Sequence, residues 1–453
     1  MSRVLRVFPY ALGLLVFVAY SALSLLRFRR FDTPSWDNAI FEEAIRGYAR
    51  LGSPIVDIKG PGFNLLGDHF SPLIVVVAPF YRVFPHAQTL LVFQAAVIAV
   101  SVAVLAHVAM KRLGAGPGIA LGLAYGLSFG FQAAVVADFH EVVLAVPLLT
   151  FAGVAYLRRD WAAVMWWSLA LLLVKEDLGL TVAAVGLVMW WCGERRRGIA
   201  LAAGGLIAMV LIVLVVIPAF NPNGTYDYFG RVGTEGGSGP VGVFLDGWNL
   251  KGPLLLALMG ITGLAALRSP WVLLVLPTLA WRFVSDNTFY WSIDWHYSLP
   301  LMPIVFVALI DGVERARADG PSWFFAYARY APYVGLAVVL AMGSWWPLGQ
   351  LADSTTYSAN PRAASAREAM GLITEGASVV TDIGLITHLA SDHSVYWVGT
   401  IGDVVPDYVL IDAQRGGWSP MAPAAAAYGR KTFGVPYETV FDRDGFTLAR
   451  RTP

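Results

Sequence analysis

Long apolar runs separated by short polar segments fill most of the chain before residue 347. A helix needs roughly 20 apolar residues to cross a membrane core about 30 Å thick. The stretches that meet this length, or nearly so, run at about 8–27, 87–110, 117–137, 141–158, 161–177, 178–192, 198–218, 252–267, 270–285, 297–312 and 328–346. This pattern predicts an all-α polytopic membrane protein with about 11 transmembrane helices. The apolar run at 71–84 is shorter and is broken by Pro72 and Pro79, which favours a re-entrant or interfacial helix.

The pattern changes at about residue 347. Short β-branched runs, such as those within 377–382 and 407–412, then alternate with polar turns, which is typical of strands. We therefore expect two domains. Residues 1–346 form the transmembrane domain, with a large first outer loop at 28–86, and residues 347–453 form a small extracytoplasmic α/β domain.

Basic residues predict the orientation, because lysine and arginine are retained on the cytoplasmic side. With the N-terminus inside, every predicted inside loop is basic, through Arg3, Arg6, Lys111, Arg112, Arg158, Arg159, Arg195, Arg196, Arg197, Arg268, Arg315 and Arg317. We expect a multi-pass protein of the plasma (inner) membrane with a cytoplasmic N-terminus and an extracytoplasmic C-terminal domain. Arg27, Arg29 and Arg30 are the exception at the outer end of the first span. They indicate either a misplaced boundary or a site for anions.

Composition supports the membrane assignment and removes other classes. Of the 453 residues, 57% are hydrophobic and 14% charged. Soluble domains have about 45–50% apolar and about 25% charged residues. The net charge of +1 argues against a nucleic-acid partner, which needs a basic surface. Cys192 is the single cysteine, so no disulfide forms within the chain.

Five polar clusters interrupt the apolar pattern, and the predicted topology brings all of them to the outer face. They are Phe31-Asp32 with Trp36-Asp37 to Glu42-Glu43, Gly67-Asp68-His69-Phe70-Ser71-Pro72, Asp138-Phe139-His140-Glu141, Lys175-Glu176-Asp177 and Asp294-Trp295-His296-Tyr297-Ser298. Each alone has an ordinary explanation, as a solvated loop, a helix cap or an interfacial aromatic belt. Their convergence on one face predicts an active site directed away from the cytoplasm.

The cluster at Lys175, Glu176 and Asp177 is the most informative physically. Its flanks belong inside, so residues 161–192 must cross outward and return. Each arm spans only about 22–26 Å as a helix, less than the membrane core, so the charged apex lies below the outer surface. Such charges are tolerated when they are paired or face a wet cavity. The apex is therefore either part of the site or a cap neutralised by pairing of Lys175 with Glu176 or Asp177.

A metal site is a further option. Asp68, His69, Asp138, His140 and Glu141 are of types that bind zinc or manganese. The histidines lack the i, i+4 spacing of a helical metal motif. The sequence thus calls for no cofactor and leaves a divalent metal ion open.

The order of these motifs resembles the domain of unknown function 2079 family of predicted membrane proteins. The likeness covers roughly residues 10–310 and continues more weakly to 407–412. Gly67-Asp68-His69-Phe70-Ser71-Pro72 and Lys175-Glu176-Asp177 are its specific elements. The family's first motif usually reads Asp-Leu-Gly-Ile-Phe-Asp-Gln, from which Asn38-Ala39 and Glu43 depart here.

That family is similar in architecture to the GT-C glycosyltransferases, and the similarity implies a mechanism. Asp37 matches the acidic base of the first outer loop, with Asp32 in reserve. The base takes a proton from an acceptor hydroxyl while a polyprenyl phosphate leaves the sugar with inversion. Lys175, His296 and Arg282 are the candidates for stabilising the departing phosphate. The other residues expected to bind substrate or donor are Asp32, Glu43, Asp68, His69, Asp138, His140, Glu141, Glu176, Asp177 and Tyr297.

The expected partners are a lipid-phosphate sugar donor, an extracytoplasmic glycan, lipid or protein acceptor, and membrane lipids. The alternative is a polytopic transporter or lipid flippase of the cell envelope. A transporter is expected to have a midplane site on broken helices, often in paired repeats. The sequence has no evident repeat, and its polar residues gather at one face. A non-enzymatic envelope assembly protein is the remaining interpretation.

Overall fold

A computed structural model describes residues 3–33, 36–228, 239–343 and 347–453. The sequence predicts a glycine-rich loop over the segment 219–251; residues 229–238 of it lie outside these ranges, and Gly239–Leu245 is helical. The described chain is mostly helical, with a small sheet near its C-terminus. This agrees with the predicted order of elements, helices first and strands last.

Each predicted apolar stretch overlaps at least one of the helices before the sheet. They are α1 (Arg3–Arg29), α2 (Asp37–Ala49), α3 (Ala78–Val83), α4 (Ala87–Leu113), α5 (Ala115–Gly126), α6 (Phe129–Val136), α7 (Ala145–Leu157), α8 (Trp161–Leu169), α9 (Leu178–Trp191), α10 (Arg195–Leu211), α11 (Ile217–Phe220), α12 (Gly239–Leu245), α13 (Trp248–Gly260), α14 (Val275–Val284), α15 (Leu301–Asp319), α16 (Ser322–Ala328) and α17 (Ala331–Met342). Short 3₁₀ segments extend several of them, and a π-helical turn at Ile212–Val216 joins α10 to α11.

Several helices are long and apolar enough to cross a membrane. Within the described ranges five qualify by length and composition, and the bent pair α16–α17 makes a sixth. The five are Leu5–Arg29, Ala87–Leu113, Ala115–Val136, Arg195–Phe220 and His296–Asp319. Shorter apolar helices occupy Pro72–Val83, Glu141–Leu157, Trp161–Leu173, Leu178–Trp191 and Pro270–Val284. The chain is thus a multi-pass membrane protein, and the count of about 11 spans stays a prediction.

Glycines allow α9 and α10 to pack with their backbones in contact. A Cβ added at Gly186 would lie 2.4 Å from the Ala202 nitrogen, and one at Gly198 would lie 2.5 Å from the Trp190 nitrogen. Small residues at membrane helix interfaces permit this close approach. The hairpin that carries the Lys175 apex is therefore held tightly against α10.

The strands form one five-stranded sheet in the C-terminal region. They are β1 (Ser378–Thr381), β2 (Ser394–Trp397), β3 (Tyr408–Asp412), β4 (Tyr437–Arg443) and β5 (Phe446–Arg451), accompanied by α18 (Ala363–Gly371), α19 (Ile386–Leu389) and α20 (Ala425–Phe433). Their order is β2-β1-β3-β5-β4, with β1 parallel to both neighbours and β5 antiparallel to both of its own. β3 is buried along its whole length, as its apolar sequence predicts.

The sheet packs against the helix α2 and its flanking loops. The Trp36 and Trp397 rings meet edge to face at 4.6 Å, and the Ser391 hydroxyl donates to Glu42 Oε1 at 2.6 Å. Arg46 donates to the backbone carbonyl of Ala390. α2 therefore connects the sheet to the membrane helices.

Glu42 makes this contact sensitive to pH. Burial raises the pKa of Glu42 to about 7, although the hydrogen bonds from Ser391 and Tyr81 oppose the shift. Burial likewise raises the pKa of the neighbouring Glu43 to about 8. Because the folded protein binds these protons more tightly than the unfolded chain, their contribution is complete below about pH 4.5 and is lost as pH rises through about 7 to 8.

We expect the melting temperature of the purified protein to fall as pH rises from about 6 to about 8. Glu42→Gln should remove part of this fall, because the amide oxygen still accepts both hydrogen bonds and carries no charge. Thermal unfolding in detergent at several pH values measures the effect. Glu438→Gln, at a half-exposed carboxylate, is the matched control. An identical fall in Glu42→Gln and in the unmodified protein would contradict the assignment.

Candidate active site

A cavity of about 520 Å³ opens between α2, the 65–71 loop and the helices that follow. Its charged and titratable lining residues are Asp37, Lys59, Asp68, His69, His140, Glu141, Lys175, Glu176, Asp177 and His296. Its aromatic and polar lining residues are Trp36, Phe41, Tyr226, Tyr228, Trp281, Ser285, Asn287, Tyr290 and Tyr297. Ile40, Leu65, Leu180, Met209 and Val213 complete it. All five polar clusters of the sequence thus contribute to one cavity.

Asp37 is the first residue of α2, directly after Trp36. A helix N-terminus favours a negative charge, which suits a carboxylate side chain at this position. Asp37 Oδ2 lies 3.5 Å from His140 Nε2, and about a third of the Asp37 side chain is exposed (34%). The carboxylate is therefore contacted by an imidazole and partly exposed where it lines the cavity.

His140 is held in place by its own neighbours. Its Nδ1 lies 3.3 Å from the Asp138 carbonyl oxygen, and its ring stacks on His296 at 3.5 Å between centroids. Burial lowers the pKa of His140, but the carboxylates of Asp37 and Glu141 outweigh it and hold the pKa above the ordinary value. A protonated His140 donates through both ring nitrogens, to the carbonyl and to Asp37. The geometry therefore favours an Asp37–His140 ion pair.

The charged apex pairs with residues from distant parts of the chain. Lys175 Nζ donates to Glu141 Oε1 at 2.7 Å, and His69 Nδ1 lies 2.7 Å from Glu176 Oε1. Asp177 Oδ1 is buried and has no hydrogen-bond partner among the described residues. The suggested cap, with Lys175 neutralised by its sequence neighbours, is not what the structure has, because the ammonium turns toward Glu141 instead.

Lys59 brings a second ammonium group to the cavity. Its Nζ donates to Asp68 Oδ2 at 2.6 Å, and the Tyr228 hydroxyl lies 3.2 Å from Asp68 Oδ1. Burial raises the pKa of Asp68, but the nearby His69 and Lys59 outweigh it and hold the pKa below its ordinary value. The Tyr228 ring also stacks on His69 at 4.5 Å. Asp68 thus fixes Lys59 and Tyr228 along one wall of the cavity.

Four of the predicted site residues do not line this cavity. Arg282 is fully buried, and its guanidinium donates to the carbonyls of Tyr290, Ser292 and Tyr297 and to the Ser298 hydroxyl. Asp32 pairs with Arg30 and Arg415, and Glu43 accepts from the Ile58 nitrogen. Asp138 is buried behind His140, where burial raises its pKa to about 7. Arg282 therefore holds the loop before α15 and is not available to a phosphate.

Sequence reasoning missed other lining residues, notably Lys59, Tyr226, Tyr228 and Trp281. Lys59 and the two tyrosines lie in short segments between the long helices. The sequence of these segments has no periodic pattern, so it does not indicate that these side chains line the site. Met209 and Val213 flank the start of the π-helical turn at Ile212–Val216. Such turns are frequent at functional sites, but no sequence pattern indicates this one.

The histidines and Glu141, which were considered as metal ligands, each pair with a different residue. His69 contacts Glu176, His140 contacts Asp37, and Glu141 contacts Lys175. In the part of the chain that the structure describes, no group of three or more histidine, cysteine or carboxylate side chains is arranged to hold a metal ion.

The helices and their cavity define a multi-pass membrane protein with the fold of ArnT. The structure of ArnT from Cupriavidus metallidurans bound to undecaprenyl phosphate matches with a TM-score of 0.53 and 15% identity, over 96% of this chain and 97% of that one. The same protein in the apo state gives a TM-score of 0.47 at 13% identity, over 95% and 97%. The first match shows that the two chains share a fold.

A family model described as predicted membrane protein (DUF2079) matches residues 27–448. The chain belongs to this family, which confirms the resemblance drawn from the motifs. No curated protein matches the chain.

Proposed function

We propose that this protein is a membrane glycosyltransferase that moves a sugar from a polyprenyl-phosphate donor to an extracytoplasmic acceptor, with inversion. One observation carries the proposal: the cavity holds an accessible carboxylate, Asp37, together with the two ammonium groups of Lys59 and Lys175. A carboxylate is suited to act as a general base, and ammonium groups are suited to bind a phosphate. The fold shared with ArnT supports the class of reaction.

In the proposed reaction, the acceptor hydroxyl oxygen attacks the anomeric carbon of the sugar. The bond from that carbon to the phosphate oxygen breaks, and the polyprenyl phosphate leaves with the electron pair. Asp37 accepts the hydroxyl proton as the new bond forms. His140 holds the Asp37 carboxylate in place at the cavity wall, where the acceptor would approach it.

Lys175 and Lys59 stabilise the departing phosphate. Both ammonium groups are paired with carboxylates, Glu141 and Asp68, which fixes them without reorganisation during the reaction. Preorganised charge of this kind is usually the largest electrostatic contribution to catalysis. The phosphate would be held between the apex and the 59–68 wall.

The position of helix α10 suits entry of the donor's lipid tail into the cavity from the membrane. Met209 and Val213 line the cavity, while Val210 and Leu214 on the same segment are half exposed (50% and 57%). Only 22% of the residues in the apolar window of this span are buried, which suits contact of this helix with lipid. The crystal structure of ArnT with undecaprenyl phosphate supports a lipid phosphate as the donor.

A second cavity, of about 390 Å³, supports a separate route for the acceptor. It shares Lys59, Asp68 and Tyr228 with the main cavity, and loop residues such as Asn223 and Asp227 line its other side. A polar molecule can approach through these side chains without crossing the apolar wall.

The test is transfer of labelled sugar from polyprenyl-phosphate donors by the purified protein in nanodiscs. A glycosidic product that requires both donor and protein supports the proposal. Movement of the labelled lipid between leaflets without product would instead favour the transporter or flippase. Absence of both with a panel of sugars and acceptors would overturn the transferase.

The orientation of the chain is a separate prediction. Arg112 pairs with Glu314 near the C-terminal ends of α4 and α15, far from the cavity, as expected if the basic loops gather on the cytoplasmic side. Reporter fusions at about residue 115 and after residue 350 should therefore report opposite sides. Both reporters on the same side would exclude an extracytoplasmic site in this topology.

A further inference from the structure

A crevice of about 390 Å³ lies where the C-terminal sheet meets the end of α1. On the sheet side it is lined by Ile383 and Gly384, which follow β1, and by Arg415, which follows β3. On the helix side it is lined by Arg27, Phe31, Asp32 and Thr33. None of these residues lines the main cavity, so the crevice is a separate feature.

The topology of the sheet makes this position a characteristic one for ligands. The chain leaves β1 for β2 on one side and then crosses to β3 on the other, so the order reverses between β1 and β3. Ligands of open α/β sheets bind in the crevice outside the carboxyl ends of such strands. The volume is also within the range of small-molecule sites.

The carboxylates below the crevice are already satisfied. Asp382 accepts from the nitrogens of Asp412 and Gly384 and from Trp418 Nε1, at 2.7, 3.1 and 2.8 Å. Asp412 Oδ1 accepts from Arg362 at 2.6 Å. These acids therefore orient the loops and have little capacity left for a cation.

The unused hydrogen-bonding capacity belongs mainly to donors. Arg27 Nε is buried without a partner among the described residues, and so is the hydroxyl of Thr33, a residue only 8% exposed. Arg415 is fixed by Asp32 Oδ1 at 2.7 Å and by the Phe31 carbonyl at 3.0 Å. Asp32 is itself shared with Arg30, so two guanidinium groups offset its single negative charge.

We infer that this crevice binds an oxyanion, a phosphate or carboxylate carried by a molecule of about monosaccharide size. Arg27 and Arg415 bind the oxyanion from the helix and the sheet, and the Thr33 hydroxyl donates to it. The site joins the sheet to the membrane helices. It does not depend on the transferase reaction, and it gives a role to the basic end of the first span.

The experiment is calorimetric titration of the full-length protein in detergent with inorganic phosphate, glucose 6-phosphate, glucuronate and uncharged glucose. Arg415→Gln should weaken anion binding by about 10- to 100-fold, as expected for a lost charged hydrogen bond. Thr33→Val should weaken it by about fivefold, and Thr33→Ser should restore it. Arg29→Gln removes the same charge from an exposed position at the same helix end and is the control.

Selective loss in Arg415→Gln and Thr33→Val supports the site, and the better anion of the two classes identifies the phosphate or the carboxylate as its ligand. Equal affinities in Arg415→Gln and Arg29→Gln would overturn the proposal. So would equal binding of glucose and glucose 6-phosphate, or no binding of any anion. These outcomes are independent of sugar transfer, which the main cavity would perform.

Discussion

Asp37→Asn is expected to reduce sugar transfer by about 10²- to 10⁴-fold, the contribution typical of a general base. Asparagine keeps the shape of the side chain and can still contact His140, but its amide oxygen cannot take the acceptor proton. Binding of the lipid phosphate should survive, because Lys59 and Lys175 remain in the cavity. The measurement pairs initial rates of transfer with donor binding in nanodiscs.

Asp294→Asn is the control for this substitution. Asp294 is an exposed acid in the loop before α15 and does not line the cavity, so the same chemical change should leave transfer intact. Full turnover by Asp37→Asn would show that Asp37 is not the general base. Loss of donor binding together with turnover would instead indicate that Asp37 holds the donor.

Lys175→Met is expected to abolish donor binding and transfer and also to destabilise the protein. Removal of the ammonium leaves Glu141, which is almost fully buried, without its 2.7 Å partner. Breaking a buried pair in this way costs about 3–5 kcal/mol, because one uncompensated charge remains. Thermal unfolding and donor binding therefore have to be measured on the same preparation.

A double variant separates the two effects. Lys175→Met combined with Glu141→Gln removes both charges and should recover most of the stability, since a neutral pair is tolerated where an isolated charge is not. Binding of the lipid phosphate should remain lost, because no cation is restored at the apex. A double variant that regains transfer would show that Lys175 serves only to neutralise Glu141.

The sequence predicted the membrane class and the sites of most helices because lipid imposes a simple rule on composition. Apolar runs such as 87–110 and 297–312 correspond to α4 and α15, although the ends of the helices differ from those of the runs by up to seven residues. The short β-branched runs within 377–382 and 407–412 likewise predicted strands, and β1 and β3 lie there. Apolar length alone does not determine the number of spans, since segments such as 270–285 fold as a 3₁₀ turn followed by a short helix.

The order of the loops also predicted that the polar residues cluster. Alternate loops of a helical bundle meet at the same end, so motifs centred on Asp37, His140 and Lys175 had to approach one another. The sequence did not predict which of these charged residues pair with one another. Lys175 turned to Glu141, 34 residues away, and His69 turned to Glu176, 107 residues away.

The sequence by itself determined a multi-pass membrane protein with polar motifs at one end and a small sheet region after them, because hydropathy and strand patterns are local. Only the tertiary structure decided which of the charged groups share a cavity. It buried Arg282 against backbone carbonyls, moved Asp32 to the sheet crevice and brought Lys59 to the cavity wall. The reason is physical: buried charges are stabilised by partners that the fold brings together over long sequence distances, and no local pattern specifies those partners.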